Sequence, residues 1–596
     1  MTPDRALALL VAAGSLVWAI VALRVAAPSI FVDELLHAEL ARNLLDGEWL
    51  QVRGERLPIS VAYPVVTALA WLPGSTSTGY ALAKVAGTTA MCLTAVPVWL
   101  LARRLAGGRW ALVAAGLTLL VPTLALTGTL MLETVALPLF ALAALAIARA
   151  LEAPTPMRQA LALATIAIAT LARFQGVLLL PMLATAIGLY WLRERTGVRP
   201  WLPTFGGIAA LVAFWIGVRT ASGSDLVPTL GVYEGHAAAT YDAGELLRWG
   251  FATLGALVVA TGVAPAIALA LLALERGRDP ALSAYVAVTV AATAWLVALG
   301  AASAAWEPAG LKERYAVYAE PLLLAALPVW LARGAPRPRV RAAVAAIAAV
   351  TLVATLPLGR IVDSASFLGN AYGLFVLDRL GAPSTALALA TVVAAAVAAA
   401  IVLAPLGVLR LGLPLAVAAL LAAGSGMAAD RIHDRGAAAS RSAPEPRQWL
   451  DEAVGADADV LYLNTTAYQG ESARGAPYDR WLPYWQTELW NRSLRGTVAL
   501  GSAEPAPIAQ RAGAIAWPTG DVAVADQPRY VLTDRRFHVQ GDVVAASGGF
   551  VLTRVDPPLR LSTVEENVGP GGEANLGAGY DVYDPEIGAV TVTVTA

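Results

Sequence analysis

The sequence has few of the residues and motifs on which soluble enzymes commonly depend. Its 596 residues include one cysteine, Cys92, and four scattered histidines, and only 14% of the residues are charged. One cysteine excludes an intramolecular disulfide. The sequence has no P-loop, GxSxG or HExxH motif, so it carries no signature of a nucleotide-binding P-loop protein, a serine hydrolase or a zinc protease. Soluble domains average about 25% charged residues, which excludes an ordinary soluble protein.

Apolar residues are abundant instead: 58% of the chain is hydrophobic and its mean hydropathy is +0.63. Runs close to the ~20 residues that cross a bilayer recur up to residue 429. The sequence therefore predicts an α-helical polytopic membrane protein with about 11–13 transmembrane helices. The candidate spans lie near 6–27, 79–102, 110–128, 132–149, 159–172, 174–192, 201–220, 249–274, 281–302, 316–332, 342–357, 384–409 and 411–429.

The arginines predict the orientation of these spans. Short arginine-rich loops alternate with longer loops, and basic residues are retained on the cytoplasmic side. If Arg5 is cytoplasmic, the loops 28–78, 221–248, 303–315 and 358–383 and the C-terminal tail share the outer face. This predicts a multi-pass plasma-membrane protein with an extracytoplasmic C-terminal domain. Residues 57–72, interrupted by prolines, are expected to form an interfacial helix within the outer loop 28–78.

The composition changes after residue 429. Residues 430–446 are interpreted as a linker, and 447–596 as a soluble domain, α/β or mainly β, with strands at 459–463, 496–500, 529–533, 550–554 and 590–594 and helices at 447–454 and 483–494. Residues 430–596 contain 22 acidic residues and 14 arginines. Such an acidic segment argues against docking on anionic lipid or nucleic acid.

The segment Asp33–Leu45 directly follows the first span and begins with an acidic pair. One interpretation is structural: Asp33 caps a helix, and Glu34 lies at the positive end of the helix dipole. The other is functional. Asp33, Glu34 and His37 lie on one turn at the membrane boundary, where a carboxylate could accept a proton from a hydroxyl group.

Glu133 and Arg173 are charged residues at the ends of apolar segments. Such groups are costly in a membrane and usually face the interior of the helix bundle or water. Glu133 could instead be an interfacial side chain that reaches water. Arg173 lies between two short apolar segments and needs an anionic partner, for which a carrier-lipid phosphate and Glu133 are the two candidates.

Lys312, Glu313, Arg314 and Tyr315 precede a span on the predicted outer face. Basic residues on the outer face are unusual, because Lys and Arg are normally enriched in cytoplasmic loops. Glu313 could simply pair with a neighbour. Alternatively, the cations form a clamp on a phosphate leaving group, because Arg and Lys stabilise phosphate charge.

Trp481 and Trp485 share one helical face in an aromatic cluster of the C-terminal domain. They could provide a platform on which sugar rings stack, or they could pack in the core of a modest domain.

Four short motifs follow one another along the chain: the element from Asp33 to Gly47, LMLET at 130–134, LARFQG at 171–176 and ERY…P at 313–321. In this order they resemble the GT-C superfamily of integral membrane glycosyltransferases. The most similar branch contains protein O-mannosyltransferases, the aminoarabinose transferases of lipid A and related actinobacterial enzymes.

The resemblance implies a GT-C fold for residues 1–429 and inverting transfer of a sugar from a polyprenyl-phosphate donor to an acceptor on the outer face. By the same resemblance, Asp33, with Glu34 beside it, deprotonates the acceptor hydroxyl, and Glu133 is a second acidic site. Some relatives use a divalent cation and others do not, so the metal is left undetermined. The implied roles of the other residues are donor-phosphate contact for Arg173, Lys312, Arg314 and Tyr315, and acceptor contact for His37, Trp481 and Trp485.

The predicted function is therefore an EC 2.4-type glycosyltransferase of cell-wall biogenesis, moving mannose or arabinose onto an envelope glycan, lipoglycan or protein. Its partners are the lipid bilayer, a polyprenyl-phosphate sugar and the acceptor. Two other classes stay open. A flippase of lipid-linked sugar would hold ionisable groups near the bilayer midplane on interrupted helices, and a non-catalytic envelope scaffold would need only the C-terminal domain to bind glycan or protein.

Overall fold

Helices dominate the chain up to Ser442, and strands are found mainly beyond it. The computed structural model describes residues 2–57, 60–221, 239–275, 279–306, 310–363, 370–464, 477–500, 511–516, 520–524, 527–568 and 574–582. The predicted strand over 590–594 lies outside the described residues.

The α-helices have the following bounds in chain order: Pro3–Leu23, Asp33–Leu45, Ala62–Thr67, Thr76–Cys92, Ala95–Thr118, Glu133–Glu152, Pro156–Ala172, Leu179–Glu194, Leu202–Ala221, Ala243–Ala260, Ala264–Ala273, Pro280–Trp306, Glu320–Ala332, Arg339–Ala354, Leu358–Val362, Phe375–Asp378, Pro383–Leu403, Leu406–Ser442, Trp449–Val454 and Pro477–Trp490. Short 3₁₀ helices cover Ala68–Trp71, Pro122–Gly128, Phe174–Leu178, Arg199–Trp201, Glu313–Tyr315, Val317–Ala319 and Tyr372–Leu374.

Within the described residues, eight helical runs are long and apolar enough to cross a membrane, and further apolar helices are shorter. The helical polytopic fold predicted from the sequence is confirmed. The eight runs are Pro3–Leu23, Thr76–Thr118, Glu133–Glu152, Phe174–Glu194, Ala243–Ala260, Pro280–Trp306, Pro383–Leu403 and Leu406–Ser442.

Several predicted boundaries are wrong because glycine and proline break the helices. The predicted span 249–274 is two helices, since the backbone has positive φ at Gly262 and Val263 and the second helix begins next to Pro265. The predicted spans 79–102 and 110–128 are also divided differently. One helix ends at Cys92 and the next begins at Ala95, within the first of these predicted spans, whereas the non-helical Gly107, whose φ is 75°, kinks the helix Ala95–Thr118 inside the predicted gap.

The helix Leu406–Ser442 continues through most of residues 430–446, the predicted linker. This stretch contains three consecutive alanines, residues 437–439, and alanine has the highest helix propensity. The first proline after the helix is Pro444, so nothing in the sequence stops the helix earlier.

The described strands are Gln51–Val52 (β1), Glu55–Arg56 (β2), Val460–Asn464 (β3), Leu494–Leu500 (β4), Arg511–Ala516 (β5), Asp521–Ala523 (β6), Tyr530–Asp534 (β7), Phe537–Val539 (β8), Asp542–Ser547 (β9), Phe550–Arg554 (β10), Leu561–Val568 (β11) and Ala574–Val582 (β12).

A mixed sheet organises the C-terminal region, with strand order β6-β5-β4-β3-β7-β10-β9. Its centre is parallel, because β3 pairs in parallel with β4 and with β7. Its edges are antiparallel, at the pairs β5–β6, β7–β10 and β9–β10. Parallel strands need crossover connections, and the helix Pro477–Trp490 lies between β3 and β4 in the chain. The predicted α/β domain is confirmed.

The chain divides into two compact units. The first comprises residues 1–24, 59–66 and 84–433, and the second comprises 25–58, 67–83 and 434–596. Most of the loop 28–78, predicted to belong with the membrane helices, therefore groups with the C-terminal residues. Aromatic packing within the second unit explains this grouping: the Phe31 ring stacks on Trp485, with centroids 5.8 Å apart.

A buried ion pair also ties the loop into the second unit. Arg53 binds Glu488 through two hydrogen bonds, Nε to Oε1 at 2.6 Å and Nη2 to Oε2 at 2.5 Å. Arg53 Nη2 also donates to the Tyr484 hydroxyl at 2.7 Å. Both charged side chains are almost completely buried. Bidentate pairing of this kind is strong and directional.

Glu39 adjoins this ion pair and hydrogen-bonds to Glu488. Burial and the charge of Glu488 raise the pKa of Glu39 to about 8, although Arg53 and Arg42 act in the opposite direction. The folded protein therefore keeps a proton on Glu39 that the unfolded chain releases at lower pH.

We expect the second unit to lose stability as the pH rises through this window. Because the pKa of Glu39 is raised on folding, its contribution is full below about 4.5 and is lost as the pH approaches 8. In Glu39→Gln the neutral amide cannot ionise, so its Tm should fall less between about pH 4.5 and about pH 8 than that of the wild type. Thermal unfolding of the solubilised full chain across this range measures the difference.

Glu48→Gln is the matched control, since Glu48 is exposed in the same loop. It should keep the wild-type pH dependence. Parallel Tm curves for the wild type and Glu39→Gln would contradict the assignment.

Candidate active site

Glu133 is a buried carboxylate at the first position of the helix Glu133–Glu152 and is only 1% exposed. The 3₁₀ helix Pro122–Gly128 precedes it, and Leu132 is the N-cap. An acidic side chain is favourable at this end of a helix because the first backbone N–H groups carry partial positive charge.

Arg173 lies at the break between two helices, as the sequence predicted. It caps the helix Pro156–Ala172 in an extended conformation, and the 3₁₀ helix Phe174–Leu178 follows. Gly176 makes this tight reversal sterically feasible: a Cβ at this position would lie 2.6 Å from the backbone nitrogen of Thr170. The break directs a 5%-exposed arginine into the unit rather than along a helix face.

Two consecutive 3₁₀ helices, Glu313–Tyr315 and Val317–Ala319, carry the third set of side chains. Arg314 comes from the first and Tyr318 from the second. Tyr318 is buried and its ring packs against Phe140, with centroids 5.3 Å apart.

These elements bring two arginines to one carboxylate oxygen. Arg314 Nε lies 2.9 Å from Glu133 Oε1, and Arg173 Nη1 forms an ion pair with the same oxygen. Arg173 Nη1 also donates to the Tyr318 hydroxyl at 3.1 Å, and its guanidinium lies 5.5 Å from the centroid of the Tyr315 ring. Glu133, Arg173, Arg314 and Tyr315, all predicted site residues, therefore converge within the first unit. Of the two partners considered for Arg173, Glu133 is the one observed.

Gln175 is a site candidate that the sequence analysis missed, as is Tyr318. Gln175 lines a small cavity, about 10 Å³, together with Arg173, Gly176 and Tyr318. It is 7% exposed, and neither its Oε1 nor its Nε2 has a hydrogen-bond partner among the described residues. Buried amides are normally satisfied. The signal was available in the motif LARFQG, in which Gln175 follows Arg173 by two residues.

The carboxylate of Glu313 has a backbone group as a hydrogen-bond partner. Its carboxylate accepts the backbone N–H of Gly373, at 3.1 Å to Oε1, whereas its neighbour Arg314 pairs with Glu133. Burial raises the pKa of Glu313 well above its usual value, and Glu320 adds to the effect, although the Gly373 N–H opposes it.

The chain has only two lysines, and the structure buries both: Lys312 is 8% exposed and Lys84 is 2% exposed. Lys312 precedes the 3₁₀ helix that carries Arg314. Lys84 donates to the backbone oxygen of Ala22 at 2.9 Å. The sequence analysis did not single out Lys84, although a lysine inside an apolar helix is a functional-site signal.

In the second unit, Asp33 is the first residue of the helix Asp33–Leu45, and Val32 is the N-cap. The capping role considered for Asp33 is therefore not observed. Glu34 Oε1 accepts the backbone N–H groups of Ser29 at 2.7 Å and Ile30 at 2.8 Å. The Tyr80 hydroxyl donates to Glu34 Oε2 at 3.3 Å. Glu34 thus fixes the turn that presents the half-buried Asp33.

The predicted acceptor residues are buried. His37 is 3% exposed, and Trp481 and Trp485 are 5% and 3% exposed. Trp481 stacks on Trp485 at 6.0 Å between centroids. For the two tryptophans this packing favours the core role over an exposed sugar platform.

The residues present do not suit a divalent cation. Within the described part of the chain, no three His, Cys, Asp or Glu side chains lie close enough together to ligate a metal. Glu133 is paired with arginines, and Glu34 binds backbone N–H groups. We therefore derive no chemical step through a metal ion.

Comparison with known proteins adds a family match and a fold match. Residues 65–217 match the sequence model of the family described as dolichyl-phosphate-mannose-protein mannosyltransferase. Two crystal structures of ArnT from Cupriavidus metallidurans are similar to this chain at 16% identity and a TM-score of 0.52. The apo form covers 93% of this chain and 98% of its own, and the form bound to undecaprenyl phosphate covers 92% and 97%. No curated protein matches the chain in sequence.

The fold and the buried clusters are those of a polytopic membrane protein with a mixed α/β C-terminal region. Residues 65–217 therefore resemble that mannosyltransferase family, and the chain has the fold of ArnT. The GT-C fold that the sequence motifs predicted is confirmed.

We expect Glu133→Gln to destabilise the first unit strongly. The amide would leave two buried guanidinium groups without their shared carboxylate, and breaking a buried ion pair from one side costs about 3–5 kcal/mol of unfolding free energy. Denaturant unfolding of the solubilised full chain measures the loss.

The matched control is Glu245→Gln, because Glu245 pairs with Arg248 at the surface. Exposed pairs contribute only about 0–1 kcal/mol. Equal stability losses in the two variants would show that the Glu133 pairing is not a structural requirement.

Proposed function

We propose that the protein transfers a sugar from a polyprenyl-phosphate donor to an acceptor hydroxyl at the outer face of the membrane. Mannose or arabinose is the proposed sugar, and an envelope glycan, lipoglycan or protein is the proposed acceptor. The observation that carries the proposal is the convergence of Arg173 and Arg314 on one buried carboxylate oxygen, in a chain with a GT-C fold.

In the proposed reaction, the Asp33 carboxylate takes the proton of the acceptor hydroxyl. The hydroxyl oxygen attacks the anomeric carbon while the bond from that carbon to the phosphate oxygen breaks. The configuration inverts, and the polyprenyl phosphate leaves with the electron pair of the broken bond. One positioned base is sufficient for such a transfer, and no covalent enzyme intermediate is needed.

Glu34 has a positioning role in this proposal. Its contacts with Ser29, Ile30 and Tyr80 hold the turn before Asp33. A carboxylate engaged by two backbone N–H groups is poorly suited to exchange protons with a substrate, and this supports Asp33 over Glu34 as the base.

Arg173 and Arg314 are the proposed partners of the donor phosphate, with Tyr315 and Lys312 beside them. Guanidinium groups bind phosphate and carboxylate oxygens with the same geometry. The negative charge that develops on the phosphate in the transition state would therefore be stabilised by Arg173 and Arg314, the two arginines that pair with Glu133. The ArnT relative was crystallised with undecaprenyl phosphate. This molecule is a polyprenyl phosphate, the class of carrier lipid proposed here for the donor.

Asp33→Asn tests the base. The amide keeps the shape of the side chain but cannot accept the proton, so sugar transfer should fall by at least about 100-fold, the usual contribution of general base catalysis. The assay supplies membranes with radiolabelled polyprenyl-phosphate mannose or arabinose and follows label into glycan, lipoglycan and protein fractions.

Glu48→Gln, at an exposed position of the same loop, should retain activity. Wild-type turnover by Asp33→Asn would eliminate Asp33 as the base. Translocation of labelled lipid-linked sugar without any labelled product would favour a flippase.

Arg314→Gln tests the phosphate clamp. We expect kcat/KM for the lipid-linked donor to fall about 100-fold, the usual effect of removing one stabilising donor from a developing anion. Arg248→Gln, which removes an exposed arginine, is the control. A variant with unchanged donor kinetics would remove Arg314 from the proposal.

A further inference from the structure

A cavity in the second unit has the features of a phosphate site. It measures about 240 Å³ and lies between the helix Asp33–Leu45, the segment after the 3₁₀ helix Ala68–Trp71 and the residue Arg492. Its wall includes Arg42, Trp71 and Thr76. None of these residues belongs to the Glu133 cluster or to the turn around Asp33.

Three buried polar atoms in this wall are unsatisfied. Arg42 Nη2, Trp71 Nε1 and Thr76 Oγ1 have no hydrogen-bond partner in the part of the chain that the structure describes. Their residues are 9%, 6% and 2% exposed. Buried donors are almost always paired, and these three atoms belong to residues that line one cavity.

The fixed positions of these groups show that the site is built. Arg42 Nη1 donates to the backbone oxygen of Leu489 at 3.2 Å, and the guanidinium lies 5.1 Å from the centroid of the Trp71 ring. Thr76 begins the helix Thr76–Cys92, whose first N–H groups carry partial positive charge. One guanidinium nitrogen is thus anchored to the protein while the other remains unsatisfied.

Two arginines, Arg42 and Arg492, and one acidic residue, Asp46, line the cavity. Arg492 lies in the same wall, and its Nη2 is 3.5 Å from Asp46 Oδ2 at the exposed side. Burial lowers the pKa of Arg42, and Arg492 adds to the effect, although Glu39 opposes it. An anion between the two arginines would relieve this repulsion.

The apolar rim indicates where the anion comes from. Leu45 and Leu72 line the cavity and are 38% and 65% exposed. Leu69, on the adjoining 3₁₀ helix, is 70% exposed. An inorganic ion makes no favourable contact with exposed leucines, whereas a lipid has apolar chains next to its phosphate that can pack against them. An indole beside exposed leucines is also typical of the membrane–water interface.

We propose that this cavity binds the phosphate of an anionic membrane lipid, with Arg42, Trp71 and Thr76 donating to its oxygens and Arg492 completing the charge. The proposal goes beyond sugar transfer and does not depend on it. Bound there, the lipid would anchor the second unit to the bilayer surface through a saturable site.

The test measures lipid retention by the full-length protein. Native mass spectrometry follows binding of phosphatidylglycerol and phosphatidylcholine to the detergent-solubilised chain. The wild type should retain one phosphatidylglycerol in preference to phosphatidylcholine. Trp71→Phe and Thr76→Val each remove one hydrogen-bonding group and nearly keep the shape, and each should weaken retention about tenfold, since a hydrogen bond to a charged group is worth about that factor.

Arg42→Gln should abolish retention, but it also removes the contact with Leu489, so the two shape-preserving variants decide the outcome. The matched control is Thr89→Val on the same helix, where the hydroxyl only bonds back to Val85. Equal retention by the wild type, Trp71→Phe and Thr76→Val would overturn the site. Saturation by inorganic phosphate, without lipid preference, would overturn the lipid as its occupant.

Discussion

The first unit depends on a buried carboxylate shared by two arginines. A chain with few charged residues cannot leave cations unpaired in its apolar interior, because the cost of desolvation is several kcal/mol per ion. Glu133 meets this constraint for Arg173 and Arg314 with a single oxygen. Since the two arginines come from distant parts of the sequence, the contact fixes the helix break at 173–178 and the 3₁₀ segment at 313–319 with respect to one carboxylate.

The second unit solves the same problem differently. Arg53 is fully engaged by Glu488 and Tyr484, and a neighbouring acid, Glu39, keeps its proton because a second carboxylate lies beside it. Arg42, a few residues along the same helix, is only half satisfied. The completely paired Arg53 fixes the loop 28–78 within the unit. The incompletely paired Arg42 belongs to the proposed lipid site. Burial alone does not distinguish these two cases, whereas the hydrogen-bond partners of each atom do.

Much of the fold could be predicted because hydrophobic length and turn residues are local signals. The helix Asp33–Leu45 and the strands β3, β4, β7 and β10 lie close to their predicted positions. The errors arose where a local signal was ambiguous. The apolar run 249–274 contains no charge to mark its break, and residues 430–442 contain the charges of a linker but the alanine content of a helix.

The candidate site was predictable in its membership but not in its pairing. The sequence supplied Glu133, Arg173 and Arg314 as charged residues in apolar surroundings, yet spacing cannot show that two of them share one oxygen of the third. Gln175, Tyr318 and Thr76 were missed because an amide or a hydroxyl next to a helix end is common. Their significance depends on whether the atoms are satisfied, and only tertiary structure shows this. The sequence pattern of Trp481 and Trp485 suited both a sugar platform and core packing, and their burial favours core packing.

Gly176 has a consequence for how such a sequence can vary. The reversal that directs Arg173 inward leaves no space for a Cβ, since the backbone of Ala169 and Thr170 occupies it. Every replacement of this glycine therefore inserts a Cβ into the reversal and displaces the arginine, even where, as with alanine, no charge changes. Selection that preserves the charged cluster should therefore also preserve Gly176, which has no side-chain functional group.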